Sequence, residues 1–137
     1  MAVIIYTDGG ARGNPGPAGA GFVIKNEGKT IASVGKYLGD KLTNNWAEYE
    51  ALVLALQEAK KRGLVGKDIE VRMDSELIVK QINGEYQVKE ETLWPQYMKV
   101  HNLLVAHFPV HTFVHVRREE NKEADRLVNE ALDEALK

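Results

Sequence analysis

The sequence predicts an α/β fold in which a mixed sheet, an antiparallel edge on a parallel core, is covered by helices on both faces. Three observations carry this expectation. The run VIIYT at 3–7 lacks polar alternation, as a strand buried on both sides does. A turn at Asn26, Glu27 and Gly28 joins two further strand-like segments into a hairpin. Beyond the hairpin the apolar pattern reads helix, strand, helix, helix, strand, helix, which calls for right-handed crossovers that bring the ends of parallel strands to one rim. Ligands in such sheets bind at that rim.

Taken in order, strands are expected at 3–7, 19–25 and 30–38, with the Gly- and Pro-rich GARGNPGPAGAG as a structured turn. A helix at 45–62 follows from Leu52, Leu56 and Ala59 at helical spacing, stopped by Gly63. The segment IEVRM at 69–73 places Ile69, Val71 and Met73 on one face of a strand. A short helix SELIVKQIN ends at Gly84, and a longer one at 92–108 tolerates Pro95 in its first turn and stops before Pro109. A strand VHTFVHVR and a final helix from about Asn121 complete the chain. Trp46, Trp94, Tyr97 and Phe108 are expected to pack in the core rather than to stack on bases.

The 137 residues, 44% hydrophobic, suit one domain with a core that needs no covalent staples. Cysteine is absent, which removes disulfides, zinc knuckles and thiol nucleophiles and fits a reducing compartment. No segment reaches the roughly 18 apolar residues of a membrane span, and MAVIIYTDGG lacks the features of a signal peptide, so a soluble cytoplasmic protein is expected. A formal charge of −2 differs from domains that hold nucleic acid through net basicity. An acidic metal site would mask basic groups in that sum, so nucleic acid is not excluded.

Four acids stand where folding could gather them: Asp8, Glu48, Asp74 and Asp125. Each has a structural alternative. Glu48, three residues after Asn45, could complete a capping box; Asp74 could cap the helix it precedes; Asp125 could be a solvated helix acid. Asp8 is hardest to explain that way, because it ends the doubly apolar strand. If the four converge, mutual repulsion raises their pKa values unless divalent cations enter. Hard oxygen ligands without cysteine suit Mg²⁺, or Mn²⁺ in its place, better than zinc. Two such ions roughly 3.5–4 Å apart would serve phosphodiester hydrolysis.

The segments YTDGGARGNPGPAG, TNNWAEYEAL, VRMDSELIVKQING and ENKEADRLVNEA together resemble the type 1 ribonuclease H family over nearly the whole chain. The resemblance implies a ribonuclease H-like fold: a five-stranded mixed sheet of order 3-2-1-4-5, one strand antiparallel to the rest. It also implies an endonuclease that cuts the RNA strand of RNA/DNA hybrids with two metal ions, leaving 5′-phosphate and 3′-hydroxyl ends. Asp8, Glu48, Asp74 and Asp125 match the family's acidic quartet, with Asp8 and Asp74 as principal ligands and Asp8 bridging both ions. Glu48 is then expected to orient a 2′-hydroxyl and one ion, and Asp125 to complete the second ion's shell.

Asn14, Asn44 and Asn45 match positions that face the minor groove and contact 2′-hydroxyls, and Thr43 with Asn14 resembles a pocket for a DNA-strand phosphate. A wide, shallow minor groove does present 2′-hydroxyls to short polar side chains. Asn14 could instead simply favour its turn and Asn45 cap the helix.

Two departures from the family pattern matter. The loop before the last helix contracts to VRREEN, without the family's histidine. His115 falls inside a strand, and Arg118 is the better substitute: it can hold a phosphate or stabilise charge, but its pKa is too high for it to shuttle protons. Its structural alternative is an ion pair with Glu119 or Glu120. The segment GEYQVKEETLW is too short and acidic to resemble the family's basic protrusion, which leaves Arg12, Lys41, Lys80, Lys89 and Arg118 to grip the hybrid if they line the groove. His101, His107 and His111 have no metal-ligand spacing. The competing readings are a non-catalytic hybrid-binding module and a DNA strand-transfer or junction-cleaving enzyme. A monomer that engages RNA/DNA hybrid and no membrane is expected.

Overall fold

The computed structural model describes residues 2–137. Five strands form one sheet in the order β3-β2-β1-β4-β5. They are β1 (Val3–Ala11), β2 (Gly16–Asn26), β3 (Lys29–Leu42), β4 (Ile69–Met73) and β5 (His111–His115). β2 is antiparallel to β1 and β3, whereas β1, β4 and β5 run parallel, so a single strand opposes the rest as expected. The helices are α1 (Asn44–Lys61), α2 (Glu76–Ile82), α3 (Trp94–His107) and α4 (Lys122–Ala135), with 3₁₀ turns at Glu91–Leu93 and Arg118–Glu120. Among the described residues no helix is long and apolar enough to cross a membrane.

The hairpin closes through Glu27 and Gly28, both at positive φ, between Asn26 and Lys29. Two positive φ values in a row give the turn a twist that matches its strands. The Gly- and Pro-rich segment is more regular than expected. Pairing continues through Gly9–Ala20, Gly10–Gly19 and Ala11–Ala18, so only residues 12–15 remain as the turn. Small residues have weak strand propensity, but here the ladder and close-packed helices impose the conformation. β3 likewise extends to Leu42, and β5 is shorter than VHTFVHVR.

Helices lie on both faces. α1 buries Leu52, Leu56 and Ala59 against Ile5, Ile24 and Val71 in the main core. Successive side chains of β2 point to opposite faces. Ala20 pairs with Gly9, whose added Cβ would strike α1, whereas an added Cβ at Gly19 or Gly21 would meet α4. α4 therefore covers the face opposite α1, and it buries Leu127, Val128 and Leu132 there.

The structure removes two capping alternatives. Thr43, not Asn45, caps α1, accepting from the Trp46 N–H at 3.2 Å, and Asn45 lies inside the helix. Ser75, not Asp74, caps α2, accepting from the Ile78 N–H at 3.3 Å. Each cap frees the neighbouring acid for another role, because the hydroxyl already satisfies the exposed helix N–H group. The aromatic expectation holds for Phe108, which is buried, and for Trp46 and Tyr97, which pack partly buried against the core. Trp94 departs from it at 47% exposure. The neighbouring Leu93 takes the buried position at that end of α3, so Trp94 faces outward with its ring edge-on to Tyr97.

Candidate functional site

The parallel register of the sheet builds the site. Thr7 of β1 lies opposite Met73 of β4, so the next residues, Asp8 and Asp74, emerge side by side at the same rim. Beyond that pair, β1 runs past the end of its β4 pairing, and its free N–H groups are taken by α1. Gly9 N–H donates to Glu48 Oε1 at 2.8 Å, and Ala11 N–H donates to Asn44 Oδ1 at 2.8 Å. A methyl group at Gly9 would stand 2.3 Å from the Ala47 carbonyl oxygen. Glycine there lets α1 approach closely enough for Glu48 to reach the rim.

Asp8, Glu48 and Asp74 each present an oxygen, and these atoms lie within 4.8 Å of one another. Asp8 and Glu48 are buried, and Glu48 Oε2 has no hydrogen-bond partner. Burial pushes the Asp8 carboxyl far up, and the charges of Glu48 and Asp74 add to the shift. Burial also raises Glu48, against the opposing hydrogen bonds from the Asp8 carboxyl and the Gly9 N–H. An unpaired buried carboxylate oxygen beside two more acids is costly unless a cation neutralises the group. An all-carboxylate donor set fits a hard divalent ion such as Mg²⁺ or Mn²⁺.

Asp125 stands outside that trio. It lies in the first turn of α4, lines the same cleft of about 410 Å³, and adds to the upward push on Asp8. Its Oδ1 faces the Arg118 guanidinium at 3.6 Å. The alternative pairing, with Glu119 or Glu120, is made instead by Arg117, which meets Glu119 at 3.9 Å and whose backbone N–H donates to Glu120. Arg118, with a 78% exposed side chain, is at the mouth of the acidic cleft. His115 ends β5, within the strand.

Asn44 and Asn45 line the cleft. Asn14 Oδ1 accepts from the Asn44 N–H at 3.0 Å, which ties the β1–β2 turn to the start of α1. Thr43, Asn14 and Asn44 are thus locally connected, and their side chains each accept from a backbone N–H. Arg12 lines the cleft too, but its guanidinium reaches α4, 2.7 Å from Asp133 Oδ1. Lys80 turns to Glu76 at 2.8 Å and over the Tyr86 ring, and the Glu76 hydrogen bond helps push its pKa up to about 12. Lys89 lines a separate cavity with Tyr86 and Trp94, and Lys41 is exposed near the end of β3. Of the five basic residues expected at the groove, Arg12 and Arg118 line the acidic cleft.

Sequence reasoning missed Gly9 and Asn121. Asn121, immediately before α4, donates from Nδ2 to the Thr7 carbonyl at 2.9 Å. The doubled glycine after Asp8 was the available signal for the first, and the position before an amphipathic helix for the second.

A sheet of this order, with acids placed where the pairing of two adjacent parallel strands ends, defines a ribonuclease H-like domain, and the Reverse transcriptase-like family model matches residues 6–131. The chain belongs to the type 1 ribonuclease H family. It is 42% identical over 131 residues to ribonuclease HI of Halobacterium salinarum, covering 95% of this chain and 64% of that protein. It is 40% identical over 136 residues to a bifunctional protein of Mycobacterium tuberculosis, covering 98% of this chain and 36% of that one. The chain therefore spans less than two thirds of the length of these relatives. The crystal structure of LC11-RNase H1 in complex with RNA/DNA hybrid superposes with a TM-score of 0.94 at 52% identity, covering 98% of this chain and 99% of the other.

Proposed function

We propose that the protein is a Mg²⁺-dependent endoribonuclease that hydrolyses the RNA strand of RNA/DNA hybrids, leaving 5′-phosphate and 3′-hydroxyl ends. The observation that carries this reading is the convergence of Asp8, Glu48 and Asp74 within 4.8 Å beside an asparagine-lined cleft. The hybrid complex formed by LC11-RNase H1 supports the choice of substrate.

Asp8, Glu48, Asp74 and Asp125 would hold two divalent ions, with Mn²⁺ as a possible substitute for Mg²⁺. When bound, such ions lower the pKa of water and stabilise the departing oxygen. The chain's own residues position the substrate. Asn44 and Asn45 present amide groups along the cleft to 2′-hydroxyls, and Glu48, with its free Oε2, orients the 2′-hydroxyl nearest the cut. Asn14 and Thr43 receive a phosphate of the DNA strand. Arg118 attracts the scissile region by charge alone, because a guanidinium does not give up its proton. Recognition of sugar and helix shape leaves base sequence with little influence.

A module that merely binds hybrid gains nothing from four carboxylates beside a phosphodiester, since their repulsion weakens association. Mg²⁺-supported cleavage of labelled hybrid, RNA duplex and DNA duplex tests the reading, with Asp74→Asn as the control. Hybrid should be cut and DNA duplex left intact, and the variant should be nearly inert. No cleavage by the wild type, or full activity in Asp74→Asn, would overturn it. Hybrid bound equally well in Ca²⁺ and Mg²⁺ without turnover would establish the binding module instead.

A further inference from the structure

Asp125 is the one member of the quartet that neither the sheet register nor α1 places, and its position depends on how α4 is docked. Two features set that docking. Asn121, 1% exposed, donates from Nδ2 to the carbonyl of Thr7, the residue before Asp8, at 2.9 Å. Its own carbonyl accepts the Asp125 N–H at 3.1 Å. One residue therefore ties the end of β1 to the helical turn that carries Asp125. The second feature is Gly21, directly opposite Asp8 in the β1–β2 ladder. A Cβ at Gly21 would stand 2.5 Å from the carbonyl oxygen of Ala124, the residue before Asp125. Any side chain at Gly21 thus pushes the first turn of α4 off the sheet.

One and two turns along the helix, at Asn129 and Asp133, a looser tie adds to these. Asn129 donates from Nδ2 to the Asp125 carbonyl at 3.1 Å, and Arg12 reaches Asp133 at 2.7 Å and Asn129 Oδ1 at 3.4 Å. That tie is exposed, and exposed ion pairs fix geometry only weakly. The buried amide and the glycine contact are the rigid elements.

We infer that Asn121 is a positioning residue which, with Gly21, sets the separation of Asp125 from Asp8 and so the strength of divalent-cation binding. This rests on the metal site proposed above. Asn121 touches neither substrate nor ion and acts through Asp125. Residues that orient metal ligands in this way typically change metal affinity by about 10–100-fold when removed.

The test is calorimetric titration of the full chain with Mn²⁺ alone, in the absence of hybrid, on wild type, Asn121→Ala, Asp125→Asn and the double variant. Asn121→Ala should weaken Mn²⁺ binding about 10-fold, yet add less than about 2-fold on top of Asp125→Asn, because coupled residues are non-additive. Thermal melting checks that each variant is folded, and Gly21→Ala, read with and without Asp125→Asn, replaces Asn121→Ala if that variant does not fold. Wild-type affinity in Asn121→Ala, or an equal loss in both backgrounds, would overturn the inference. Hybrid cleavage by the wild type is scored separately, so failure of the proposed activity is distinguishable from failure of this positioning role.

Discussion

Gly9 and Glu48, 39 residues apart, meet through a single hydrogen bond of 2.8 Å from the backbone N–H of one to the carboxylate of the other. The contact is possible because Gly9 has no side chain and the α1 backbone fills that space. A helix acid thereby becomes part of a sheet-edge site.

Gly9→Ala should separate α1 from β1. Backbone atoms, not a flexible side chain, occupy the place of the new methyl, so the strain cannot be relieved cheaply. A destabilisation of roughly 1–3 kcal/mol is expected, with a loss of hybrid cleavage of about 10–100-fold if Glu48 leaves the trio. Denaturant melts and single-turnover cleavage measure the two effects; normal activity would show that Glu48 reaches the site some other way.

Asp8→Asn should stabilise the metal-free protein at neutral and higher pH. The folded pKa values of Asp8 and Glu48 are both raised, first by burial. The native state therefore binds their protons more tightly than the unfolded chain does. Their contribution to stability is full below the unfolded values near 4 and is lost as pH rises through the folded ones. In EDTA the wild-type melting temperature should fall with rising pH, and Asp8→Asn should raise it at pH 8 by several degrees, roughly 3–10 °C. A variant that melts lower than the wild type across that range contradicts this account.

Metal affinity should increase with pH for the same reason. Burial raises the pKa values of both Asp8 and Glu48, so protons on these carboxyls compete with the cation and deprotonation removes a cost of binding. Mn²⁺ titrations from pH 6 to pH 9 in buffers of different ionisation heat should show proton release that declines as pH rises. A pH-independent affinity would place the cation elsewhere.

Asn44→Ala removes the acceptor for the Ala11 N–H and an amide that lines the cleft. The expected result is a KM for hybrid several-fold higher, a smaller change in kcat, and a modest stability loss of about 0.5–1.5 kcal/mol. Steady-state kinetics beside thermal melts separate the components; a change in stability with no change in KM would assign Asn44 to the fold alone.

Arg118→Ala should leave the melting temperature essentially unaltered, since its ion pair with Asp125 is long at 3.6 Å and largely exposed. Cleavage should weaken more at high than at low hybrid dilution if the arginine gathers substrate. Arg118→Lys should then recover part of the effect, and identical kinetics in all three proteins would remove Arg118 from the site.

Much of this protein was legible in its amino-acid order. The doubly apolar VIIYT, the periodicity of 45–62 and the strand IEVRM are local signals; they determined the element order and put Asp74 just past its strand, whereas Asp8, expected at a strand end, lies inside a β1 that the β2 ladder prolongs to Ala11. The four motif segments determined the family, because their acids recur in a fixed sequence of elements.

The tertiary structure alone decided which of several competing partners each polar group took. Thr43 and Ser75 won the helix caps, which released Glu48 and Asp74 to the site. Arg12 went to Asp133 and Arg118 to Asp125, choices among carboxylates that spacing along the chain does not rank. Trp94 lost the core to Leu93, and Asp125 was left outside the 4.8 Å trio. The physical reason is range: propensity and periodicity act over a few residues, whereas hydrogen bonds, ion pairs and close backbone contacts are settled between elements only after the chain has packed.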